Sequence, residues 1–304
     1  AYFMLKKIIK ANSYAVIHCN TPMGGVITRL AAINARKRGT KVIYTAHGFH
    51  FYKGASIKNW IIFYPIEKVM ARFCDTLITI TKEDYRLANR KFRTNVIHMH
   101  GVGVYPERYH SVDLKNSLAM RTAEGLREND YVILCTGELN QNKNQSTLIS
   151  AAKILKKDIP NLKILIAGNG PMEQVLKQQS FDFRLGDTIQ FLGYRTDLEK
   201  VTPAVDLAVS CSYREGLPLN ILEAMLCKKP VVVSNNRGHR ELVKDSRNGY
   251  IVKADAVNDY ADRIRKVYNE SETAEKMGEY GWRIAQAYTA ESVKKELERI
   301  YKLV

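Results

Sequence analysis

Ten short runs of β-branched and aliphatic residues recur along the chain, most of them followed by a stretch of helical periodicity, and this alternation constrains the fold most. In the first half the runs are YAVIHC (14–19), KVIYTA (41–46), DTLITI (75–80) and NVIHMH (95–100). In the second they are YVILCTG (131–137), LKILIAG (162–168), TIQFLG (188–193), DLAVS (206–210), KPVVVS (229–234) and YIVKA (250–254). Strands apolar on both faces belong in parallel sheets with helices on each side. Strand–helix alternation gives an α/β class, here two doubly wound, Rossmann-like domains. Helices are predicted around 25–38, 58–72 and 82–91, and three more after residue 255. Residues 104–128 are polar and weakly periodic, and read as the interdomain connection. The expected domains are 1–115 and 116–285, with a terminal helix over 286–304 packing back toward the first.

Charge is placed unevenly. Residues 1–126 carry 20 Lys and Arg against 7 Asp and Glu, whereas residues 127–304 carry 27 against 24. Ten basic side chains precede the first acid, Glu67. Such a one-sided field draws anionic partners to one half of the molecule, whether phosphorylated small molecules, an anionic membrane or nucleic acid. A basic, soluble surface with no partner is the plain alternative. No apolar run reaches the ~18 residues that a spanning helix needs. The opening AYFMLKKIIKANSYAVIHC lacks the order of a secretory signal. Five scattered cysteines with no CxxC pair read as buried thiols of a cytoplasmic protein.

Ligands on open parallel sheets bind outside the carboxyl ends of the strands, so the loops there are the segments to read. DLAVS is followed by CSYREGLPLNILEAMLCKK. A helix opening at Pro218 sets Glu215 just before its N-terminus and Glu223 more than a turn inside. The amides of Gly216, Leu217 and Leu219, with the helix dipole, then form an anion site suited to a diphosphate. The bland alternative makes Glu215 a helix-cap acid and Glu223 a solvated surface residue. The loop GELNQNKNQ (137–145) places Lys143 on the same sheet, where it can neutralise a phosphate. AGNGPMEQ (167–174) offers Gly168 and Gly170, although a tight turn also accounts for that pair.

In the first half, His47 ends a strand in HGFHFYKG, within reach of a sugar hydroxyl or phosphate oxygen. His50 and the aromatics Phe49, Phe51 and Tyr52 are candidates for an acceptor pocket or for local packing. Gly24 and Gly25 in HCNTPMGG read as opening a helix, a further anion mouth. No Asp-x-Asp, HExxH, metal-ligand cluster, GxxxxGK[ST] or GxSxG occurs, so neither a metal nor a cofactor is expected.

Taken together, the loops resemble glycosyltransferase family 4, the retaining transferases of the GT-B fold. EGLPLNILEAMLCKKPVV is similar to that family's E-x7-E segment, and GELNQNKN, AGNGP, FLGYRTD and EGLP follow in family order. HCNTPMGG through YTAHGFHFYKGA to LITITKEDY is similar to the subgroup that builds capsular and exopolysaccharides. The resemblance implies that Glu215 lies beside the transferred sugar, that Glu223 binds the ribose hydroxyls, and that Lys143 and the Gly216, Leu217 and Leu219 backbone hold the diphosphate. It places Gly193, Tyr194 and Arg195 at the base, Gly168 and Gly170 on the donor side, His47 against the sugar, and Gly24, Gly25 and His50 toward the acceptor.

The family often has an arginine where this chain has Glu138, which leaves more of the diphosphate charge to Lys143. Its glycine-rich opening strand–loop–helix has no counterpart, so the first domain is expected to be incomplete at its start by roughly two βα units. The implied reaction moves a sugar from a nucleotide donor, expected to be UDP-linked, to a lipid-linked saccharide. The implied place is peripheral, on the inner face of the cell membrane, with no nucleic-acid partner. A GT-B sugar-nucleotide epimerase, needing no lipid acceptor, is the nearest alternative. A nucleic-acid module rests on charge alone, with no recognition helix or aromatic platform evident. A nicotinamide dehydrogenase would need the absent G-x-G-x-x-G.

Overall fold

The computed structural model describes residues 1–109 and 114–303, and side chains throughout that range except at 114–116. The chain forms two units, Ala1–Gly103 with Glu291–Val304, and Val104–Ala290. Every predicted strand is present, most trimmed by a residue or two at an end.

In the first unit the order is α1 (Tyr2–Ala11), β1 (Val16–Asn20), α2 (Pro22–Ala31), α3 (Ile33–Arg36), β2 (Lys41–Ala46), α4 (Ile57–Met70), β3 (Thr76–Thr79), α5 (Lys82–Lys91) and β4 (Asn95–His98). The four strands are parallel and lie in sequence order. Right-handed crossovers running one way across a sheet leave their helices on one face. Side chains alternate accordingly. Val42, Tyr44 and Ala46 join the helix-side core with Ala31, Ala35, Phe49 and Phe51, while Ile43 and Ile78 point to the other face. The helix expected over 25–38 is instead two helices and opens earlier, at Pro22 behind Thr21. Proline suits the first turn because its missing N–H would be unpaired there anyway.

The second unit runs α6 (Leu114–Ala123), β5 (Tyr131–Thr136), α7 (Gln145–Leu155), β6 (Leu162–Ala167), α8 (Glu173–Asp182), β7 (Ile189–Gly193), α9 (Leu198–Val201), β8 (Leu207–Ser210), α10 (Leu219–Leu226), β9 (Val231–Ser234), α11 (Arg237–Leu242), β10 (Gly249–Val252), α12 (Val257–Asn269) and α13 (Ser271–Ala285). Its six parallel strands lie in the order β10-β9-β8-β5-β6-β7. The chain thus winds outward from β5 in one direction and then outward from β8 in the other. The reversal between β5 and β8 is the topological switch point, where the loops diverge to opposite faces and leave a crevice.

The 104–128 segment, read as a connection, is built into the second unit. Within it, residues 110–113 lie outside the described residues. Arg121 on α6 makes a two-pronged contact to Asp206 at 2.8 and 2.9 Å and donates to the carbonyls of Ala204, Glu128 and Asp130. Polar contacts rather than an apolar stripe anchor much of α6, so periodicity does not reveal it. The last helix, α14 (Ala290–Lys302), belongs almost wholly to the first unit. Val293, Leu297 and Ile300 cover Ile43, Ile78 and Met99 on the face its other helices leave open. Glu296 accepts from the His100 amide at 2.9 Å and pairs with its Nδ1 at 2.6 Å.

Candidate active site

At the switch point of the second unit three post-strand loops are tied together. In the first, Gly137–Asn144, Asn140 accepts the Lys143 amide on its side-chain oxygen at 2.9 Å. The Lys143 side chain then lies over Gly137, where an added Cβ would stand 3.1 Å from Cε. In the second, Cys211–Pro218, the Tyr213 amide donates to the Asn142 carbonyl at 2.8 Å and the Asn142 side chain donates to the Arg214 carbonyl at 3.0 Å. Asn220, in the first turn of α10, donates to the Thr136 carbonyl at the end of β5, 3.1 Å away. These bonds fix the α10 N-terminus beside the lysine loop.

Across the crevice, Lys143 Nζ stands 2.7 Å from Glu215 Oε1. Two residues read separately from the sequence, one for phosphate and one for sugar, are each other's partner. The helix opens one residue later than expected. Pro218 is the cap, and Leu219 is the first helical residue. Of the three proposed amides, those of Gly216 and Leu217 therefore lie in the loop and only that of Leu219 in the helix. None of the three donates a hydrogen bond among the described residues. Unsatisfied amides at a helix mouth beside an ammonium form an anion cradle.

Glu223 is the fifth residue of α10 and half-buried. Burial raises its pKa above the ordinary carboxylate value, opposed by a hydrogen bond from the Tyr109 hydroxyl and by the nearby Arg108. It is not a solvated surface residue.

The third loop, after β9, escaped the sequence reading. A Cβ at Gly238 would fall 2.5 Å from the Gly216 carbonyl and 2.8 Å from Glu215 Cβ, so only glycine lets α11 support that turn. Arg237 Nε donates to the Glu215 carbonyl at 3.3 Å, and Asn236 donates to the Ser212 carbonyl at 2.8 Å. His239 is fully buried, and burial pushes its pKa down to about 4. The signal was the same strand–glycine–helix pattern read elsewhere, in VVVSNNRGHRE.

Gly168 and Gly170 have a packing role. A Cβ at 168, where φ is +144°, would overlap the Gly137 carbonyl oxygen, and one at 170 would overlap Leu139. They allow the loops after β5 and β6 to meet backbone to backbone, with Leu139 N donating to Asn169 O at 2.9 Å. The Gly193 carbonyl accepts the Gly168 amide at 2.7 Å. Tyr194 is exposed, and the Arg195 guanidinium is committed to Asp197 and Glu124, each at 2.7 Å.

In the first unit, His47 Nε2 meets Asn20 Oδ1 at 3.1 Å at the carboxyl ends of β1 and β2. Nearby, His18 bonds Thr45 at 2.8 Å and Tyr301 at 2.7 Å, and burial together with His47 lowers its pKa. His50 stacks on Phe63 at 4.6 Å, while Phe49 and Phe51 are core residues. Gly24 and Gly25 are the third and fourth residues of α2, in its first turn. A Cβ at Gly25 would strike the Tyr44 ring at 2.5 Å, so this glycine serves helix-to-sheet packing. Among the described residues no group of three or more His, Cys, Asp or Glu is placed to hold a metal, and no helix is long and apolar enough to cross a membrane.

Two parallel-sheet α/β units of this kind match the GT-B fold of glycosyltransferases. The family model "Glycosyl transferases group 1" matches residues 117–283, and "Glycosyl transferase 4-like" matches residues 1–81. The chain belongs to the group 1 glycosyl transferases and is a glycosyltransferase. It is 40% identical over 302 residues to EpsD of Bacillus subtilis, which carries a glycosyltransferase name, spanning 99% of this chain and 79% of that protein. It is 28% identical to the Escherichia coli UDP-Gal:alpha-D-GlcNAc-diphosphoundecaprenol alpha-1,3-galactosyltransferase, over 88% of this chain and 69% of that one. Among solved structures, HepE of Anabaena in complex with UDP superposes with a TM-score of 0.88 at 21% identity, covering 99% of this chain and 82% of that one.

Proposed function

We propose that this glycosyltransferase moves a sugar, with retention of anomeric configuration, from a UDP-sugar to a lipid-linked saccharide in capsule or exopolysaccharide assembly. The observation that carries the reading is the Lys143–Glu215 pair beside three unbonded amides at the switch point of the second unit. A diphosphate seated there replaces Glu215 as the partner of Lys143, and the amides of Gly216, Leu217 and Leu219 take its remaining oxygens. Glu215, released from the lysine, accepts hydroxyls of the transferred sugar, and Glu223 accepts those of the ribose. Gly193, Tyr194 and Arg195 meet the base through main-chain atoms, His47 contacts the sugar, and His50 lies on the acceptor side. As the bond from anomeric carbon to phosphate oxygen breaks, the acceptor oxygen bonds that carbon from the same side and its proton passes to the departing phosphate. Charge developing on that phosphate is what Lys143 and the helix mouth stabilise. No metal is required in this scheme. Support for the donor and the acceptor comes from the E. coli relative, whose name specifies UDP-Gal and a diphosphoundecaprenol-linked sugar.

The first test is a thermal-shift panel of UDP, GDP and ADP with their sugars, followed by a transfer assay. A ligand present at 100 times its Kd adds about 2.7 kcal/mol to native stability, so UDP compounds are expected to raise Tm and the others to leave it. A flat response to all nucleotides overturns the proposal.

Glu223 adds a pH signature. Only its carboxylate form is a pure hydrogen-bond acceptor, and burial raises its pKa. UDP-sugar affinity is therefore expected to fall as pH drops, beginning above the range where an exposed carboxyl protonates. Calorimetric titration across pH should show that step in the wild type and lose it in Glu223→Gln. A step unchanged in the variant removes Glu223 from the ribose site.

A further inference from the structure

The start of the second unit brings a side chain to Glu223 that the sequence does not single out. Val104 is pinned on both sides: its amide donates to the Tyr288 carbonyl at 2.9 Å, and its carbonyl accepts the Ala290 amide at 2.8 Å. A single turn, Pro106–Arg108, follows, and the Tyr109 amide closes it on the Pro106 carbonyl at 2.8 Å. Arg108 is held to Glu199 of α9 at 3.5 Å. Tyr109 is 9% exposed, and its ring belongs to the apolar cluster that α10 builds with β9. Its hydroxyl donates to the Glu223 carboxylate.

One arc of α10 is open to such a contact. Ile221, Leu222, Ala224, Met225 and Leu226 are buried, which leaves Leu219, Asn220 and Glu223 together on the remaining side. Asn220 is committed to the Thr136 carbonyl, and Leu219 contributes the helix-mouth amide. Glu223 is the one acid on that arc. A carboxylate accepts on either oxygen, so a ligand meets a defined acceptor only if the other oxygen is fixed by the protein. A phenol anchored through its ring supplies that fixed point.

The other ionisable groups around Glu223 are Arg108, Glu199 and Cys227. Arg108 favours the charged carboxylate and Glu199 opposes it, and these two are paired with each other. Burial pushes the Cys227 thiol up to about 12, so it stays neutral. Burial and the nearby carboxylate push the Tyr109 phenol up as well, which keeps it a donor.

We infer that Tyr109 is a positioning residue for the nucleotide: its hydroxyl takes one oxygen of Glu223 and leaves the other to the ribose hydroxyls. This deepens the donor site proposed above and rests on that reading, and it makes the 104–109 segment part of that site.

Tyr109→Phe keeps the ring and removes only the hydroxyl. The test is calorimetric titration of the full wild-type and variant chains with UDP and with inorganic pyrophosphate across pH, followed by steady-state transfer. The variant is expected to bind UDP about tenfold more weakly, the net worth of one hydrogen bond. Pyrophosphate carries no ribose and should bind both proteins equally. In transfer, KM for the UDP-sugar should rise while kcat holds. The hydroxyl bond lowers the Glu223 pKa, so its removal raises it further, and UDP affinity should begin to fall at a higher pH in the variant. Lost ring packing alone would move neither that step nor the contrast between UDP and pyrophosphate. Equal UDP affinity in the two proteins, an unmoved pH step, or an equal loss for pyrophosphate overturns the inference. A wild type that binds no nucleotide sinks the donor reading itself, whereas a nucleotide response that both proteins share unchanged sinks only the role of Tyr109.

Discussion

Lys143→Ala is expected to lower kcat for sugar transfer by about 10²–10³-fold, the usual loss when a group stabilising developing charge is removed. The ammonium is 2.7 Å from Glu215 and held over Gly137 by a loop whose own amide is capped by Asn140. It is thus positioned before any ligand arrives, and little rearrangement is needed when negative charge builds on the leaving phosphate. An interaction made mainly in the transition state appears in kcat and kcat/KM together rather than in KM. Glu215→Gln should behave differently. It leaves Lys143 without its resting partner, so UDP is expected to bind as well or better while transfer falls, because an amide is a poorer acceptor for the sugar hydroxyls. Steady-state kinetics with a UDP-sugar, alongside UDP binding by thermal shift, separates the two. Wild-type turnover in Lys143→Ala would break the assignment of the site.

Glu67→Ala is expected to cost about 3–5 kcal/mol of stability in the first unit, the range for removing one partner of a buried ion pair. Arg29 has no exposed surface. Its Nε donates to the Gly25 carbonyl at 2.9 Å, its guanidinium lies 4.0 Å from the Tyr44 ring centre, and Glu67 supplies the balancing charge. The Tyr44 hydroxyl adds a bond to the same carboxylate at 3.3 Å. Without Glu67 a guanidinium remains in a dry interior with no counter-charge. Replacing both members, Arg29→Met with Glu67→Leu, removes the cost of desolvating them and should recover most of the loss. Denaturant unfolding followed by Trp60 fluorescence in a Trp282→Phe background reports this unit alone. If the double variant is as unstable as Glu67→Ala, the buried-charge account is wrong, whether or not the single variant folds.

Much of the framework was legible because it depends on local chemistry. Near-continuous runs such as KVIYTA and KPVVVS can be buried only on both faces, and that alone predicts parallel sheets. Lys143 and Glu215 are candidates because strand ends in such sheets are where ligands bind, and the family resemblance singles them out among the residues there. What stayed hidden depends on register between distant segments. Nothing near Gly168 says that its missing Cβ makes room for the Gly137 carbonyl. Nothing near Gly238 says that α11 presses on the Glu215 turn. Gly25 reads as part of an anion mouth because two glycines near a helix start suggest one, and nothing beside it in the sequence says that the Tyr44 ring packs against it. The first acid of the chain looked like part of the surface charge count. In the fold Glu67 neutralises Arg29, so the exposed charges along α4 are all basic.

The placement of α14 sets the order in which the molecule can be completed. Residues 291–303 leave the ribosome after the whole second unit, yet they cap the apolar surface around Ile43, Ile78 and Met99. Until then a nascent first unit has its sheet sheltered on a single side, a state prone to sticking to other chains. A premature stop near residue 290 would therefore harm the first-made half most, even though every residue of that half had been translated.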